Sequence, residues 1–156
     1  MSVDEAELER RMARYVEVSR RAGLKLTHQR LEIFRELAAS VEHPDAETVY
    51  QGVRRRVPTV SLDTVYRTLW RMHDLGLITT LFPRQDSLRF DANVGQHHHF
   101  VCTACGLARD FESEELDSLA VPDEASELGQ AQSAQVIIKG LCANCATARS
   151  ANQARE

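Results

Sequence analysis

The chain has 156 residues, of which 43% are hydrophobic and 27% are charged, and its formal net charge is −4. This length suits one compact domain or two small ones. No apolar run approaches the roughly 18 residues that span a membrane, and the charged start does not match a secretory signal. We therefore expect a cytoplasmic protein that does not enter a membrane.

The charge is divided unevenly along the chain. Residues 10–82 contain 13 basic and 8 acidic side chains, whereas residues 83–156 contain 6 basic and 11 acidic side chains. A basic first half joined to an acidic second half indicates two different functions. Because local charge governs contact with nucleic acid, the overall acidity does not exclude DNA binding by the first half.

Four short helices are predicted in the first half. The first spans residues 5–22 and ends at Gly23, a residue typical of the position after a helix. The other three begin after residues whose side-chain oxygens cap helix starts, namely Thr27, Asp45 and Ser61. We expect the third helix to reach about Arg56 and the fourth to extend through Leu75.

The fourth predicted helix is amphipathic. Its apolar residues recur at the spacing that faces a protein core, and they are Leu62, Val65, Leu69 and Met72. The opposite face is polar and carries Asp63, Thr64, Arg67, Thr68 and Arg71. We expect this polar face to point away from the core.

Two β-rich runs follow, at residues 77–82 and 87–90, and the turn-forming residues 83–86 join them into a predicted hairpin. Helices followed by a hairpin are typical of a winged helix-turn-helix, in which the helix before the hairpin enters the major groove of DNA. The alternative is a helical domain whose exposed face binds protein.

The second half mixes strands with a helix, so the predicted fold class is α+β. Strands are expected at residues 97–103, 107–111 and 135–141. A single helix is expected from Glu114 to about Leu128, and a short polar tail ends the chain.

All four cysteines fall in two C-x-x-C pairs, which are Cys102 with Cys105 and Cys142 with Cys145. Two such knuckles supply the four thiolates of a tetrahedral structural Zn²⁺ site, each about 2.3 Å from the metal. One alternative is two disulfides, which a reducing cytoplasm disfavours. The other is a redox-active pair, which explains one C-x-x-C and not two. We predict a structural zinc ion.

Three consecutive histidines precede the first cysteine pair. In a strand, His97 and His99 share one face while His98 points to the other, so two imidazoles can bind one metal ion. An internal run of histidines on a protein surface is the alternative. Two carboxylates and one more imidazole are available to complete a second site, from Asp91, Asp110 and His43.

Such a mixed set of three imidazoles and two carboxylates suits Fe²⁺, Mn²⁺ or Zn²⁺. Because its members come from both halves of the chain, a bound ion can favour one arrangement of the two halves, as in a sensor. A metal hydrolase would need a base beside an open coordination position, and none can be nominated from the sequence.

Four stretches of the chain resemble the ferric uptake regulator (Fur) superfamily, and the resemblance covers about residues 10–146. These stretches are Gly23-Leu24-Lys25-Leu26-Thr27-x-x-Arg30, His43-Pro44-x-Ala46-x-x-Val49-Tyr50, Ser61-x-x-Thr64-Val65-Tyr66-Arg67-Thr68-Leu69 and His97-His98-His99-Phe100-x-Cys102-x-x-Cys105-Gly106. The resemblance implies a homodimeric, metal-dependent transcriptional repressor that binds a palindromic operator in double-stranded DNA. It also implies that the protein is not an enzyme.

The resemblance also implies a division of the chain into domains. A winged-helix DNA-binding domain is expected at residues 1–91 and a hinge at residues 92–96. An α/β dimerisation and metal-binding domain with the four-cysteine zinc site is expected at residues 97–156.

Aspartates at both acidic positions resemble the peroxide-responsive (PerR) branch of the superfamily more than the iron-responsive branch. The resemblance implies that Fe²⁺ or Mn²⁺ binds at a regulatory site formed by His43, Asp91, His97, His99 and Asp110. Hydrogen peroxide is then expected to oxidise His43 or His97. The alternative within the superfamily is an iron-, manganese- or zinc-responsive repressor without peroxide chemistry.

Candidate DNA contacts come from the resemblance and from the charge pattern. Tyr66 and Arg67 match the base-contacting pair of the superfamily, and Lys25 matches a residue that enters the minor groove. The candidate phosphate contacts are Arg54, Arg55, Arg56 and Arg71. Outside this class, the rival functions are a zinc-stabilised protein-interaction module and a metal hydrolase.

Overall fold

The computed structural model describes residues 3–84 and 87–153, with seven helices and five strands among them. These elements form two compact units, Met1–Val94 and Gly95–Glu156. The division between the units falls within residues 92–96, and a hinge role for this segment stays a prediction. Among the described helices, none combines the length and apolar character required to cross a membrane.

Local capping chemistry determines where the helices of the first unit begin. Their bounds are α1 (Glu5–Arg21), α2 (His28–Ala38), α3 (Ala46–Arg54) and α4 (Leu62–Asp74). In each case the side chain before the helix accepts a hydrogen bond from a backbone N–H in the first turn, and the acceptors are Asp4, Thr27, Asp45 and Ser61. The predicted starts of α2, α3 and α4 are confirmed. Helix α3 ends two residues before the predicted Arg56.

The core of the first unit is formed by one face of each helix. The Tyr15 ring of α1 stacks on the Phe34 ring of α2, with the ring centroids 4.5 Å apart. The stripe predicted on α4 is buried at Val65, Leu69 and Met72. Thr68 belongs to the polar face but is buried, so the expectation that this whole face points away from the core is wrong at Thr68.

A hairpin follows α4, as predicted. Strands β1 (Thr79–Arg84) and β2 (Ser87–Asp91) pair antiparallel, with Thr79 opposite Asp91. The predicted turn began too early, because Pro83 and Arg84 belong to β1. The remaining turn residues, Gln85 and Asp86, lie outside the described residues. Helices followed by this hairpin have the element order of a winged helix-turn-helix.

The second unit is built on a three-stranded sheet. Its strands are β3 (His98–Cys102), β4 (Ala108–Phe111) and β5 (Ile137–Gly140), in the order β4-β3-β5. Strand β3 pairs antiparallel with β4 and parallel with β5. The helices of this unit are α5 (Glu114–Asp117), α6 (Asp123–Leu128) and α7 (Ala143–Gln153). The predicted α+β class is confirmed.

The single helix predicted from Glu114 to about Leu128 is wrong. The segment forms the two short helices α5 and α6, with residues 118–122 between them. Pro122 lies directly before α6, and a proline inside a longer helix would remove a backbone donor and clash with the preceding turn. The sequence therefore contained the signal for this break.

Candidate metal centres and nucleic-acid interface

The four cysteine sulfurs converge in the second unit, and all lie within 4.8 Å of one another. Cys102 ends β3, Cys142 lies between β5 and α7, and Cys145 lies in the first turn of α7. The pairing of Cys102 with Gly140 in β5 brings the two knuckles together. All four thiols are free, so the disulfide alternative is not observed.

The sulfur geometry fits a tetrahedral zinc ion. Sulfurs bound at about 2.3 Å to a tetrahedral ion are separated by about 3.8 Å. The sulfurs of Cys105 and Cys142 are 3.8 Å apart. The site therefore has the donor type and the spacing that structural zinc requires.

Backbone N–H groups favour a thiolate in this cluster. Hydrogen bonds from the backbone of Cys105 and Cys142 lower the pKa of Cys102 to about 6. The neighbouring sulfurs, first that of Cys142, raise the pKa of Cys145, which therefore keeps its proton in the absence of metal. Metal binding must displace the remaining protons, so acid opposes it.

Imidazole and carboxylate donors converge at a second place in this unit. The Nε2 atoms of His97 and His99 are 3.1 Å apart. Asp110 Oδ1 lies 3.8 Å from His97 Nε2 and 3.4 Å from His99 Nε2. Both histidines are buried, so their nitrogens converge away from bulk water. Two imidazole nitrogens and a carboxylate oxygen in this arrangement suit a divalent cation.

The protonation of His97 is determined by its neighbour. His97 Nδ1 lies 2.8 Å from the carbonyl oxygen of Gly95, which can only accept, so Nδ1 carries the proton. The Nε2 atom then presents its lone pair toward His99 and Asp110. Metal-binding histidines are commonly held in this way by a carbonyl at the other ring nitrogen.

His98 has different partners, on the opposite face of β3. Its Nδ1 accepts from the backbone N–H of Val136 at 3.2 Å, and its Nε2 lies 3.1 Å from Asp117 Oδ1. Both ring nitrogens are thus used in contacts that join β3 to the segment before β5 and to α5. This supports the prediction that His98 does not bind the regulatory metal.

The first unit contains a buried imidazole–carboxylate pair. His43 Nε2 lies 3.3 Å from Asp91 Oδ2, and both residues are at most 5% exposed. Asp91 Oδ1 accepts from the backbone N–H of Asn93 at 2.7 Å, which fixes the orientation of the carboxylate. This pair offers one nitrogen and one oxygen donor to a cation.

A basic cleft lies between the start of α2 and α4. Its lining residues are Lys25, Thr27, Gln29, Arg30, Thr64, Arg67, Thr68 and Arg71. The cleft thus includes three of the predicted DNA contacts, Lys25, Arg67 and Arg71. Tyr66, another predicted DNA contact, lies on α4 and is 41% exposed. Arg67 pairs with Asp63 at 2.6 Å, but both side chains are solvated, so this weak pair can exchange for a phosphate or a base.

Arg30 lines this cleft and was not assigned a function from the sequence. Its Nη1 donates to the Lys25 carbonyl oxygen at 2.7 Å, which joins the start of α2 to the loop before it. Arg30 is part of the first stretch that resembles the Fur superfamily, and this position in the motif was the sequence signal that could have indicated a functional role. Its proximity to Arg67 and Arg71 depends on the packing of α2 against α4.

The predicted phosphate contacts at residues 54–56 are not equivalent. Arg56 forms ion pairs with Glu32 at 2.6 Å and with Glu36 at 2.8 Å. These carboxylates raise the pKa of Arg56 through their hydrogen bonds. Arg54 lies over the Tyr50 ring, at 5.7 Å from its centroid. Arg55 is exposed and follows α3 directly.

Comparison with known proteins gives a family match and a matching fold. A model of the ferric uptake regulator family matches residues 21–137. The peroxide-responsive repressor PerR of Staphylococcus aureus is 34% identical over 119 residues, which cover 76% of this chain and 80% of the relative.

Solved structures share the fold. The ferric uptake regulator Fur of Helicobacter pylori aligns with a TM-score of 0.70 at 23% identity, covering 89% of this chain and 93% of the other. PerR of Streptococcus pyogenes aligns with a TM-score of 0.50 at 27% identity, covering 93% and 95%. Both alignments include the winged-helix unit and the sheet unit.

The substitution Cys142→Ser tests the zinc site. Loss of one thiolate should reduce bound zinc after mild chelation to a small fraction of the wild-type content, because a structural site needs all four ligands. The zinc content per chain is measured by mass spectrometry of the metal, together with thermal unfolding. Asn144→Ser, in the same knuckle, is the matched control. Full zinc occupancy in Cys142→Ser would contradict the assignment.

The substitutions Arg55→Ala and Arg56→Ala separate a DNA contact from a structural arginine. Arg55→Ala should weaken binding to any duplex and lower the salt slope by about one, as expected for a phosphate contact. Arg56→Ala should leave the affinity nearly unchanged and reduce the unfolding free energy by about 1 kcal/mol or less. Fluorescence anisotropy at several salt concentrations measures the affinities. Equal losses of affinity would show that Arg56 also contacts DNA.

Proposed function

The chain belongs to the ferric uptake regulator family, a family of metal-responsive transcriptional repressors. From this membership and from the site geometry, we propose that it represses transcription by binding operator DNA when a regulatory metal is present. The observation that carries this proposal is the convergence of the buried His97 and His99 on the Asp110 carboxylate, in the unit that also holds the four-cysteine cluster. The cysteines provide a structural site, and the imidazoles and carboxylate provide a separate site of a different donor type.

We propose that the two sets of donors bind one regulatory ion. The pair His43 and Asp91 supplies two donors from the first unit, and the second unit supplies three. Nitrogen and oxygen donors without sulfur suit Fe²⁺ or Mn²⁺, whereas the thiolates select zinc. An ion bound by both sets favours one arrangement of the two units, and DNA affinity follows from that preference.

DNA recognition is assigned to α4 and the basic cleft. Arg67 can donate to guanine, and the Tyr66 ring can contact a thymine methyl group. Arg71, Lys25 and Arg30 supply positive charge for the phosphate backbone along the same cleft. Two copies of α4 in a homodimer would read the two halves of a palindromic operator.

Apolar residues on the second unit support homodimerisation. Among the described residues of this unit, five large hydrophobic side chains are at least 43% exposed, and they are Leu119, Val121, Leu128, Ile137 and Ile138. Exposed apolar side chains of this kind are removed from water when a second copy covers them. Two of them lie on β5, at the edge of the sheet.

A more specific proposal is that the repressor senses hydrogen peroxide. It is supported by the aspartates at positions 91 and 110 and by the similarity to PerR of Staphylococcus aureus. When bound, Fe²⁺ would activate hydrogen peroxide at this site, and the oxidised imidazole would supply the two electrons that reduce the peroxide. One peroxide oxygen is expected to join a ring carbon of His43 or His97, with release of water. An altered imidazole is a poorer ligand, so the site loses affinity for metal and the repressor releases DNA.

Three other functions are alternative outcomes of these experiments. An iron- or manganese-responsive repressor would use the same donors without oxidation of histidine. A metal hydrolase would turn over substrate in the absence of DNA. A protein-interaction module would show no metal-dependent change in DNA affinity.

The iron form should respond to peroxide, and the manganese form should scarcely respond. Stoichiometric hydrogen peroxide added to the Fe²⁺ form should add the mass of one oxygen atom to peptides that contain His43 or His97, with loss of the operator gel shift. Tandem mass spectrometry distinguishes His97 from His98, which serves as the internal control. An unmodified iron form would support a metal sensor without peroxide chemistry.

The substitution Arg67→Ala should relax sequence preference. Loss of a forked contact to guanine should reduce discrimination between operator and mixed-sequence duplex by about 1–3 kcal/mol. Affinity for the mixed-sequence duplex should change little. Arg71→Ala, one turn along α4, is the control for a phosphate contact and should weaken both duplexes alike. Equal losses on both duplexes in Arg67→Ala would refute the base-reading role.

A further inference from the structure

The backbone of His43 adopts a restricted conformation. Its φ is 50°, and it is the only non-glycine residue with positive φ among residues 3–84 and 87–153. The side chain of an L-amino acid is crowded in this left-handed region, although histidine enters it more often than most residues. The ring of Pro44, which follows, further restricts the backbone of His43. Contacts from elsewhere must therefore stabilise this conformation.

Three consecutive residues of β2 supply such contacts within the first unit. Arg89 Nη1 donates to the carbonyl oxygens of Glu42 and His43, at 3.3 and 3.4 Å. The backbone N–H of Phe90 donates to the Pro44 carbonyl oxygen at 3.0 Å. Asp91 Oδ2 lies 3.3 Å from His43 Nε2. Strand β2 thus contacts the backbone carbonyl group of each residue in the 42–44 loop, and it also contacts the His43 imidazole.

We propose that Arg89 is a positioning residue for the regulatory metal, because it holds the backbone of His43 in the conformation that aims the imidazole at Asp91. This inference rests on the proposed function, since it assumes that His43 is a ligand. The hydrogen bonds of Arg89 to this loop are made to backbone carbonyl groups and not to the imidazole of His43. It acts through the two carbonyl groups that flank the Cα of His43 along the chain.

Because Arg89 is positively charged, a positioning role and a purely electrostatic role predict opposite changes in metal affinity when Arg89 is replaced. A guanidinium close to a cation site repels the cation, so its removal should strengthen metal binding if electrostatics alone operated. A positioning role predicts the opposite, because the loop would leave the strained conformation and the imidazole would turn away. Loss of a supporting contact to a metal ligand commonly weakens metal binding by about 10- to 100-fold.

The test compares Mn²⁺ affinity and the Co²⁺ absorption spectrum of the full-length zinc-loaded protein in four variants. Arg89→Met removes both hydrogen bonds that Nη1 donates, and Arg89→Lys keeps the charge and a donor nitrogen. His43→Ala removes the proposed ligand. Arg14→Met is the matched control, because Arg14 also donates to a backbone carbonyl, that of Gly76 at 3.2 Å. Zinc content and unfolding midpoints establish that each variant is folded.

Arg89→Met should weaken Mn²⁺ binding by about 10-fold or more and shift the Co²⁺ spectrum, with Arg89→Lys intermediate and Arg14→Met unchanged. Unchanged or tighter Mn²⁺ binding in Arg89→Met, beside a clear loss in His43→Ala, would overturn the proposal and leave the proposed function intact. Unchanged Mn²⁺ binding in His43→Ala would instead contradict the proposed ligand set itself.

Discussion

The pairing register of β3 is the constraint on which the second unit depends. Cys102 lies opposite Gly140 of β5, and His99 lies opposite Asp110 of β4. Side chains alternate along a strand, so a slip of one residue would exchange the faces of His98 and His99 and would carry Cys102 away from the other thiols. One register therefore determines both the four-sulfur cluster and the imidazole–carboxylate set. The backbone N–H of Cys142, which donates to Cys102 Sγ at 3.3 Å, reinforces it.

Features that depend on a few neighbouring residues could be predicted from the sequence. The starts of α2, α3 and α4 follow from caps one residue before the helix. The two cysteine knuckles follow from their spacing, and the sulfur cluster confirms that they converge. The break between α5 and α6 was equally local, and Pro122 was the signal for it. The prediction of a single helix was therefore wrong although the sequence contained the residue that breaks it.

Other features depend on residues that are distant along the chain and could not be predicted in this way. Arg56 was grouped with Arg54 and Arg55 by composition, but α2 brings Glu32 and Glu36 to its guanidinium. Thr68 lies on the polar side of the helical pattern and is nevertheless buried by tertiary packing. The contact of Arg89 with the loop at residues 42–44 spans more than forty residues. No periodicity in the sequence records such neighbours.

The parallel pairing of β3 with β5 affects the order in which the chain can fold during synthesis. His99 and Ile137 face each other across a separation of 38 residues, and the second cysteine knuckle comes later still. The helices and hairpin of the first unit use residues that have already left the ribosome by then, and N-terminal domains generally fold first. The sheet cannot be completed until β5 and the second cysteine pair have been synthesised. A nascent chain would therefore complete its winged-helix unit before it could assemble the four-cysteine cluster of the second unit.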